Sequence, residues 1–167
     1  MKLSVIIPTL NEEATLQRTL VTLQRWRPEV EIIVIDGGST DSTRDIAAPL
    51  VDEVRVAPKG RARQMNAGAD IASGDALLFL HADTLLPPGF LPLIRQALAE
   101  ETHLWGRFDL CFEPRNRRLD MVAWMINRRS RLTSVCTGDQ ARVSKQDRAN
   151  GDEYDDKGKR LKQHQEP

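Results

Sequence analysis

Three acidic residues, Glu12, Asp36 and Asp83, each follow a short apolar run of the sequence. Continuous apolar runs of this length are typical of strands buried on both faces of a parallel sheet. The carboxyl ends of parallel strands meet at one edge of the sheet, where open α/β folds bind their ligands. Carboxylates that converge in a cleft are costly unless a cation or hydrogen-bond donors compensate their charge. The sequence therefore predicts a ligand site at this edge.

Each acid suggests its own chemistry. Asp83 ends the run at 75–84, and one carboxylate with substrate phosphates and water suits Mg²⁺ or Mn²⁺. Zinc fits less well, because His81 has no second soft ligand nearby. Asp is also a common helix cap, so Asp83 taken alone fits a cap and a metal ligand equally well. The two neighbouring acids, Glu12 and Asp36, favour the metal ligand. Asp36 is placed to bind ribose hydroxyls or a base N–H.

A basic stretch adds Lys59, Arg61 and Arg63 at the predicted start of a helix beside the same crevice. Arginine pairs with phosphate in a two-pronged geometry. A solvated basic face explains each arginine equally well when it is taken singly.

Strands and helices alternate along the chain and position these residues. Strands are predicted at 3–7, at 31–35, at 51–56 and in the stretch 75–84 as far as Leu80. Helices are predicted at 12–26, from the turn 36–41 to residue 48, at 60–74 and at 87–98. This alternation predicts βαβ units and a mostly parallel sheet. Pro8 is expected to end the first strand, and Thr9 with Glu12 to form a capping box. An edge strand at 104–112 and a helix at 119–131 follow.

Composition predicts one domain in this chain of 167 residues, 40% of which are hydrophobic. The formal net charge is zero, which gives no general attraction to nucleic acid. The sequence carries no signal peptide and no run that could span a bilayer, which predicts a cytoplasmic protein. Residues 141–167 are mostly charged or amide residues and are predicted to form a disordered tail, leaving 1–140 as the domain.

Four sequence blocks, in this order and spacing, resemble family-2 glycosyltransferases of the GT-A fold: residues 5–13, 34–41, 66–68 and 79–83. Finer motifs are similar to a bacterial subgroup labelled transferases associated with radical-SAM and selenodomain proteins: residues 60–66, 81–84, 105–108 and 137–140. The resemblance implies an α/β, Rossmann-like GT-A sheet with helices on both faces. It also implies an enzyme that takes a sugar from a UDP- or GDP-linked donor with Mn²⁺ or Mg²⁺.

The resemblance also implies residue roles. Pro8, Thr9 and Glu12 match the loop that contacts the nucleotide, and Asp36 matches the acid that holds the base or ribose.

Asp83 matches the last acid of the DxD metal motif, and His81 stands in place of the first acid. The family's arginine before Asn-Ala-Gly is Met65 here, so Arg61 or Arg63 is expected to supply that charge.

The end of the chain departs from the family pattern. Members of this type continue after Gly-Asp-Gln with a hydrophobic strand, an Arg-Arg pair, a Gly-Gly-Phe turn and a Glu-Asp pair that resembles the general base. A polar segment stands there instead, so Asp139 is the candidate base within the matching region. The sequence predicts a fold incomplete at its C-terminal end, truncated or frameshifted after Gln140.

Three alternatives stand beside the transferase. One is a non-catalytic nucleotide-sugar-binding remnant that lacks the acceptor half and the base. A nicotinamide-binding domain would need GxGxxG, but Pro8 occupies the place of its first glycine. A nucleotidyltransferase would need a Gly-rich, basic loop after the first strand.

The helix at 119–131 carries Trp124 and a cluster of arginines. Loss of the C-terminal end is expected to leave apolar surface exposed, which favours association; this surface lies around Phe108, Phe112, Val122 and Trp124. An alternative places the helix on a membrane surface, at the inner face of the membrane and near a lipid-linked acceptor, with no transmembrane segment.

Overall fold

The computed structural model describes residues 1–99, 105–109, 111, 117–133 and 141–145. The described strands are β1 (Leu3–Thr9), β2 (Val30–Asp36), β3 (Glu53–Val56), β4 (Ala76–Phe79), β5 (Trp105–Arg107) and β6 (Arg142–Lys145). The described helices are α1 (Leu16–Leu23), α2 (Thr43–Ala47), α3 (Arg61–Ile71), α4 (Phe90–Ala99) and α5 (Arg117–Thr133). A 3₁₀ turn, Gln24–Trp26, extends α1.

The described strands form one sheet in the order β3-β2-β1-β4-β6-β5. β1 lies between β2 and β4, and strands β1 to β4 are parallel. β6 runs antiparallel to both of its neighbours, β4 and β5. The predicted α/β class, with a mostly parallel sheet, is confirmed.

Side chains of the central strands alternate between two buried layers. On one face of the sheet, Leu16, Leu20 and Leu23 of α1 pack in the same core as Phe90 and Ile94 of α4. On the other face, β-strand isoleucines and Phe79 pack with residues of α3. Helices therefore cover both faces, which explains why β1 and β2 read as continuous apolar runs.

Gly68 allows α3 to approach the sheet closely. A Cβ atom at this position would lie 2.4 Å from Cγ2 of Ile6 and 3.2 Å from Cγ1 of Ile35. Both isoleucines are buried in strands and have little room to move. The absence of a side chain therefore sets the distance between α3 and the strands β1 and β2.

The amino-terminal edge of the sheet is held by Glu31. Its carboxylate accepts hydrogen bonds from the hydroxyls of Ser4 and Ser73 and from the backbone N–H of Ser73 (2.8 Å). The ammonium of Lys2 lies 3.7 Å away. Burial raises the pKa of Glu31, but these hydrogen bonds and the Lys2 charge outweigh burial and hold the pKa below its ordinary value of 4.5.

The first βα connection differs from the prediction. β1 continues through Pro8 to Thr9, and α1 begins at Leu16 rather than at residue 12. The predicted capping box is wrong, because Thr15 precedes the helix and its hydroxyl donates to the Glu12 carboxylate (2.8 Å). The loop thus takes up the residues assigned to the first helical turn.

The boundary of the predicted polar tail also differs. The structure places 142–145 in β6, and Ala141 and Val143 are buried. Val143 pairs with Leu78 of β4, so a single apolar residue on the inward face is enough to anchor this short strand. The remainder of the predicted tail, 146–167, lies outside the described residues. Within the described part, no helix is long and apolar enough to cross a membrane.

Candidate functional site

The carboxyl ends of β2, β1 and β4 lie side by side. Thr9, the last residue of β1, is paired with Asp36, the last residue of β2. The N–H of Leu80, just after β4, donates to the carbonyl of Ile6 (3.0 Å). β1 leads to β2 on one side and has β4 on the other, so the strand order reverses beside β1. A crevice at such a reversal is the usual ligand site of an open α/β sheet.

Pro8 interrupts the hydrogen bonding between β1 and β4 at this edge of the sheet. Successive residues of a parallel strand bond alternately to its two neighbours. Ile6 bonds to the β4 side and Thr9 accepts from Gly37 on the β2 side (2.8 Å), which turns Pro8 toward β4. Because proline has no N–H, the ladder between β1 and β4 stops while that between β1 and β2 continues. Pro8 itself is half-buried.

Asp36 is fully buried at the end of β2. Its Oδ2 accepts from the N–H groups of Gly38 (2.9 Å) and Ser39 (2.8 Å). Its Oδ1 accepts from the hydroxyls of Thr9 (3.3 Å) and Ser39. Nε of Arg44 lies 3.9 Å from Oδ2. The Asp36 carboxylate therefore shapes the turn after β2.

The loops after β1 and β2 are joined by hydrogen bonds. Asn11 has a positive φ of 56°, and its N–H donates to Oγ of Ser39 (2.9 Å). Its Oδ1 accepts from the N–H of Thr40 (2.9 Å). The N–H of Glu12 donates to Oγ1 of the buried Thr43 (2.8 Å). We call the loop residues 10–13 and 37–43 together the paired loops.

Two acids complete the paired loops. Oδ2 of Asp41 accepts from the N–H of Glu13 (3.2 Å), and Oε2 of Glu13 accepts from the N–H of Ser42 (3.0 Å). Oδ1 of Asp41 accepts from the hydroxyl and N–H of Thr43. The Thr43 hydroxyl makes the largest contribution to lowering the pKa of Asp41 below its ordinary value of 3.8; desolvation opposes it and backbone N–H donors reinforce it. The two loops are thereby held as one wall of the crevice.

Gln64 joins α3 to this edge. Its buried Nε2 donates to the carbonyls of Thr9 and Ile35, both at 2.8 Å. The first turn of α3 therefore lies against the ends of β1 and β2. Gln64 is not among the predicted site residues, although its position gives a signal: it is one helical turn before Gly68, on the face that packs against the sheet.

Basic side chains surround the start of α3. Lys59, Arg61 and Arg63 are all exposed, as the solvated-face interpretation and the phosphate-binding interpretation both require. Gly60, at a φ of 139°, turns the chain into the helix. Helix amino termini carry a partial positive charge, so this side of the crevice is electropositive.

His81 and Asp83 lie in the turn after β4. The Ala82 carbonyl accepts from Oγ1 of the buried Thr19 in α1 (2.7 Å), which fixes the turn. Asp83 is exposed, and its Oδ1 accepts from the Thr84 hydroxyl (3.2 Å). Nε2 of His81 is buried. Of these two predicted metal ligands, Asp83 is the more exposed.

The donor set fits a hard divalent cation with few protein ligands. The described residues contain no group of three or more His, Cys, Asp or Glu side chains arranged to hold a metal. Mg²⁺ and Mn²⁺ do not need such a group, because substrate phosphates and water fill their remaining positions. The exposed Asp83 carboxylate at the carboxyl edge of the sheet matches that requirement. The predicted base, Asp139, lies outside the described residues.

Known proteins are similar to this chain in sequence and in fold. The family model described as glycosyl transferase family 2 matches residues 4–144. The chain is 36% identical over 126 residues to validoxylamine A glucosyltransferase of Streptomyces hygroscopicus subsp. limoneus, covering 68% of this chain and 28% of that protein. It is 44% identical over 91 residues to a PGL/p-HBAD biosynthesis glycosyltransferase of Mycobacterium bovis, covering 50% and 36%. The chain thus spans only about a third of the length of these relatives.

Two solved structures show the same fold at lower identity. Glucosyl-3-phosphoglycerate synthase from Mycobacterium tuberculosis, in complex with Mn²⁺, UDP and glucosyl-3-phosphoglycerate, superposes with a TM-score of 0.65. It is 22% identical, covering 87% of this chain and 57% of that one. The mannosyltransferase PcManGT from Pyrobaculum calidifontis, in complex with GDP-Man and Mn²⁺, gives 0.64 at 23% identity, covering 86% and 44%.

Proposed function

The chain belongs to glycosyl transferase family 2, and on that premise we propose that it binds a nucleotide-diphosphate sugar at the carboxyl edge of its sheet and transfers the sugar to an acceptor. The observation that carries the proposal is that the paired loops, the basic start of α3 and the exposed Asp83 all lie at the carboxyl edge of the sheet, where the strand order reverses. Family membership makes sugar transfer the chemistry to expect there.

The diphosphate of the donor would lie between the start of α3 and the turn after β4. Arg63 and Lys59 are exposed, and their charges add to the positive end of the helix. A two-pronged pair with a phosphate suits arginine, which gives Arg61 and Arg63 the charge role that the resemblance assigned to them. The solved structures of similar fold that contain UDP or GDP-mannose support a nucleoside-diphosphate ligand.

The nucleoside would lie against the paired loops. Thr9 and Asp36 are both buried and bonded to each other, so we assign them to positioning the wall rather than to direct contact. Glu12 is half-buried with its carboxylate bonded to Thr15, and we assign it to the same wall. Pro8 contributes by interrupting the ladder, which leaves room between β1 and β4.

Asp83 would hold a divalent cation, Mn²⁺ or Mg²⁺, together with the diphosphate oxygens of the donor. When bound, the cation supplies positive charge to the diphosphate as it leaves. His81 lies two residues before Asp83 and has a buried Nε2 atom, so Asp83 is the ligand that this proposal relies on. The solved structures of similar fold with Mn²⁺ support the choice of cation.

The reaction forms a bond between an acceptor hydroxyl oxygen and the anomeric carbon, and breaks the bond from that carbon to the diphosphate. The hydroxyl proton goes to a general base. Asp139 remains the predicted base. The finer motifs, among them residues 60–66 and 81–84, support membership of the bacterial subgroup associated with radical-SAM and selenodomain proteins, and a lipid-linked acceptor is one class that this proposal includes.

Calorimetric titration of the chain with UDP and with GDP, each with and without Mn²⁺, tests donor binding. The proposal expects binding of one nucleotide in the presence of Mn²⁺ and much weaker binding without it. A chain that binds neither nucleotide contradicts the proposal. Release of UDP or GDP from the matching sugar donor then tests turnover, and binding without turnover would favour the non-catalytic alternative.

A further inference from the structure

α5 presents its large apolar side chains to solvent. The exposed fractions decide this point: Leu119 37%, Met121 58%, Val122 38%, Trp124 59% and Met125 53%. Ala123, on the opposite face, is buried. An ordinary surface helix places its large apolar residues toward the core and polar residues outward. α5 instead places Met121, Trp124 and Met125 outward, which marks its outer face as an interaction surface.

The same outer face is cationic. Exposed arginines stand near the two ends of the helix, Arg117 and Arg118 at one and Arg128 and Arg129 at the other. At 100° per residue they share the side of Met121, Trp124 and Met125. The Arg128 guanidinium lies over the Trp124 ring, 5.4 Å from its centroid.

Helix stability does not explain the arginines at the start of α5. The first turn of a helix favours acidic residues, because the amino terminus carries a partial positive charge. Arg117 and Arg118 oppose that charge, and the acidic residue of the first turn, Asp120, is half-buried on another side. The helix dipole therefore does not favour Arg117 at this position.

We propose that α5 is a membrane-binding helix that lies flat in the interface of a bilayer containing anionic phospholipid. Met121, Trp124 and Met125 enter the boundary between headgroups and acyl chains, and the arginines pair with lipid phosphates. A helix of 17 residues lies along about 25 Å of such a surface. Tryptophan is favoured at this depth because its ring is apolar and its N–H is polar.

The charge pattern selects lipid over other occupants of this face. A second copy of the chain would bring like-charged arginines together across a two-fold axis, which costs energy. A nucleic acid would pair with the arginines but leave the methionines and Trp124 exposed. An anionic bilayer satisfies both halves of the face. This inference is independent of the proposed donor site, so either can fail without the other.

Flotation of the full chain with lipid vesicles tests the proposal. Vesicles of phosphatidylglycerol and phosphatidylcholine in a 3:7 ratio are compared with pure phosphatidylcholine. The chain binds the anionic vesicles at least tenfold more strongly, and binding falls as salt is raised to 0.5 M. Arg128→Gln weakens binding about fivefold, the effect of removing one basic residue near an anionic surface. Met125→Glu abolishes binding.

Matched variants separate this face from the rest of the surface. Leu93 on α4 is 55% exposed, nearly the same as Met125, so Leu93→Glu repeats the chemical change elsewhere. Arg25→Gln repeats the loss of one exposed arginine. Both controls bind vesicles like the parent chain. Far-ultraviolet circular dichroism and the urea midpoint of each variant show that the fold is retained.

Several results would overturn the proposal. These are equal binding to both vesicle types, no binding, or controls that lose binding as the α5 variants do. A dimer seen in sedimentation and lost in Met125→Glu would assign the face to a second copy. A Trp124 emission component, isolated by difference from Trp124→Phe, that resists acrylamide quenching without lipid would show that another part of the chain covers the face.

Discussion

Replacing Gln64 by leucine should loosen the carboxyl edge of the sheet from α3. The substitution keeps the approximate shape of the side chain and removes both hydrogen bonds from Nε2, to Thr9 and Ile35. The Thr9 carbonyl still accepts from Gly37. Each lost bond costs about 1 kcal/mol, and a buried carbonyl without its partner costs about 1–3 kcal/mol. We expect the free energy of unfolding to fall by about 2–3 kcal/mol.

Urea unfolding followed by circular dichroism measures this change, and the melting temperature should fall by about 4–12 °C for a chain of this size. Gln17→Leu is the control, because Gln17 is exposed on α1 and its replacement should change stability by less than about 0.5 kcal/mol. Gln64→Leu should also weaken nucleotide binding, because the start of α3 would no longer be hydrogen-bonded to the ends of β1 and β2. A variant as stable as the control would refute the assignment of Gln64 as a link between α3 and the strands.

Three further changes test the packing and the charges. Gly68→Ala should destabilise the chain by about 1–3 kcal/mol in urea unfolding, although alanine favours helices, because the new Cβ would press on Ile6. Thr43→Val removes the hydroxyl that bridges the paired loops and should cost about 1–2 kcal/mol and weaken UDP or GDP binding in calorimetry. Glu31 and Asp41 have lowered pKa values, so their contribution to stability is present above their ordinary values of 4.5 and 3.8 and is lost as pH falls below them, which urea midpoints from pH 7 to pH 3 should reveal.

The opposite results are equally specific. A stabilised Gly68→Ala would mean that helix propensity outweighs the close contact with the sheet. Unchanged nucleotide affinity in Thr43→Val would separate the paired loops from the ligand site. A stability that rises between pH 5 and pH 3 would contradict the signs of both pKa shifts.

Strands that are buried on both faces of the sheet can be predicted from the sequence alone. β1, β2 and β4 are covered on both faces, so their apolar runs are visible in the sequence, and the turns that follow them carry polar and permissive residues. The start of α1 was misplaced by four residues because Thr9 and Glu12 match a capping motif by spacing alone. In the structure the Thr9 hydroxyl bonds to Asp36 and the Glu12 N–H bonds to Thr43, 27 and 31 positions away.

The site was predictable in outline and not in its connections. The acids at the strand ends could be placed by topology, but their roles depend on exposure. Asp36 is enclosed by protein donors and Asp83 is open to solvent, a difference that no spacing in the sequence encodes. β6 could not be predicted from the sequence because Val143 is its only large apolar residue. The position of β6 is fixed by pairing with β4.

Asp83 is the residue that we propose couples cation binding to nucleotide binding. Calorimetry of Mn²⁺-dependent nucleotide binding in Asp83→Ala, beside the control Asp70→Ala on the exposed face of α3, tests this proposal. We expect Asp83→Ala to lose at least tenfold in nucleotide affinity with Mn²⁺ and to change little without Mn²⁺. The control should bind nucleotide like the parent chain. Equal Mn²⁺-dependent affinity in both variants would contradict the proposal.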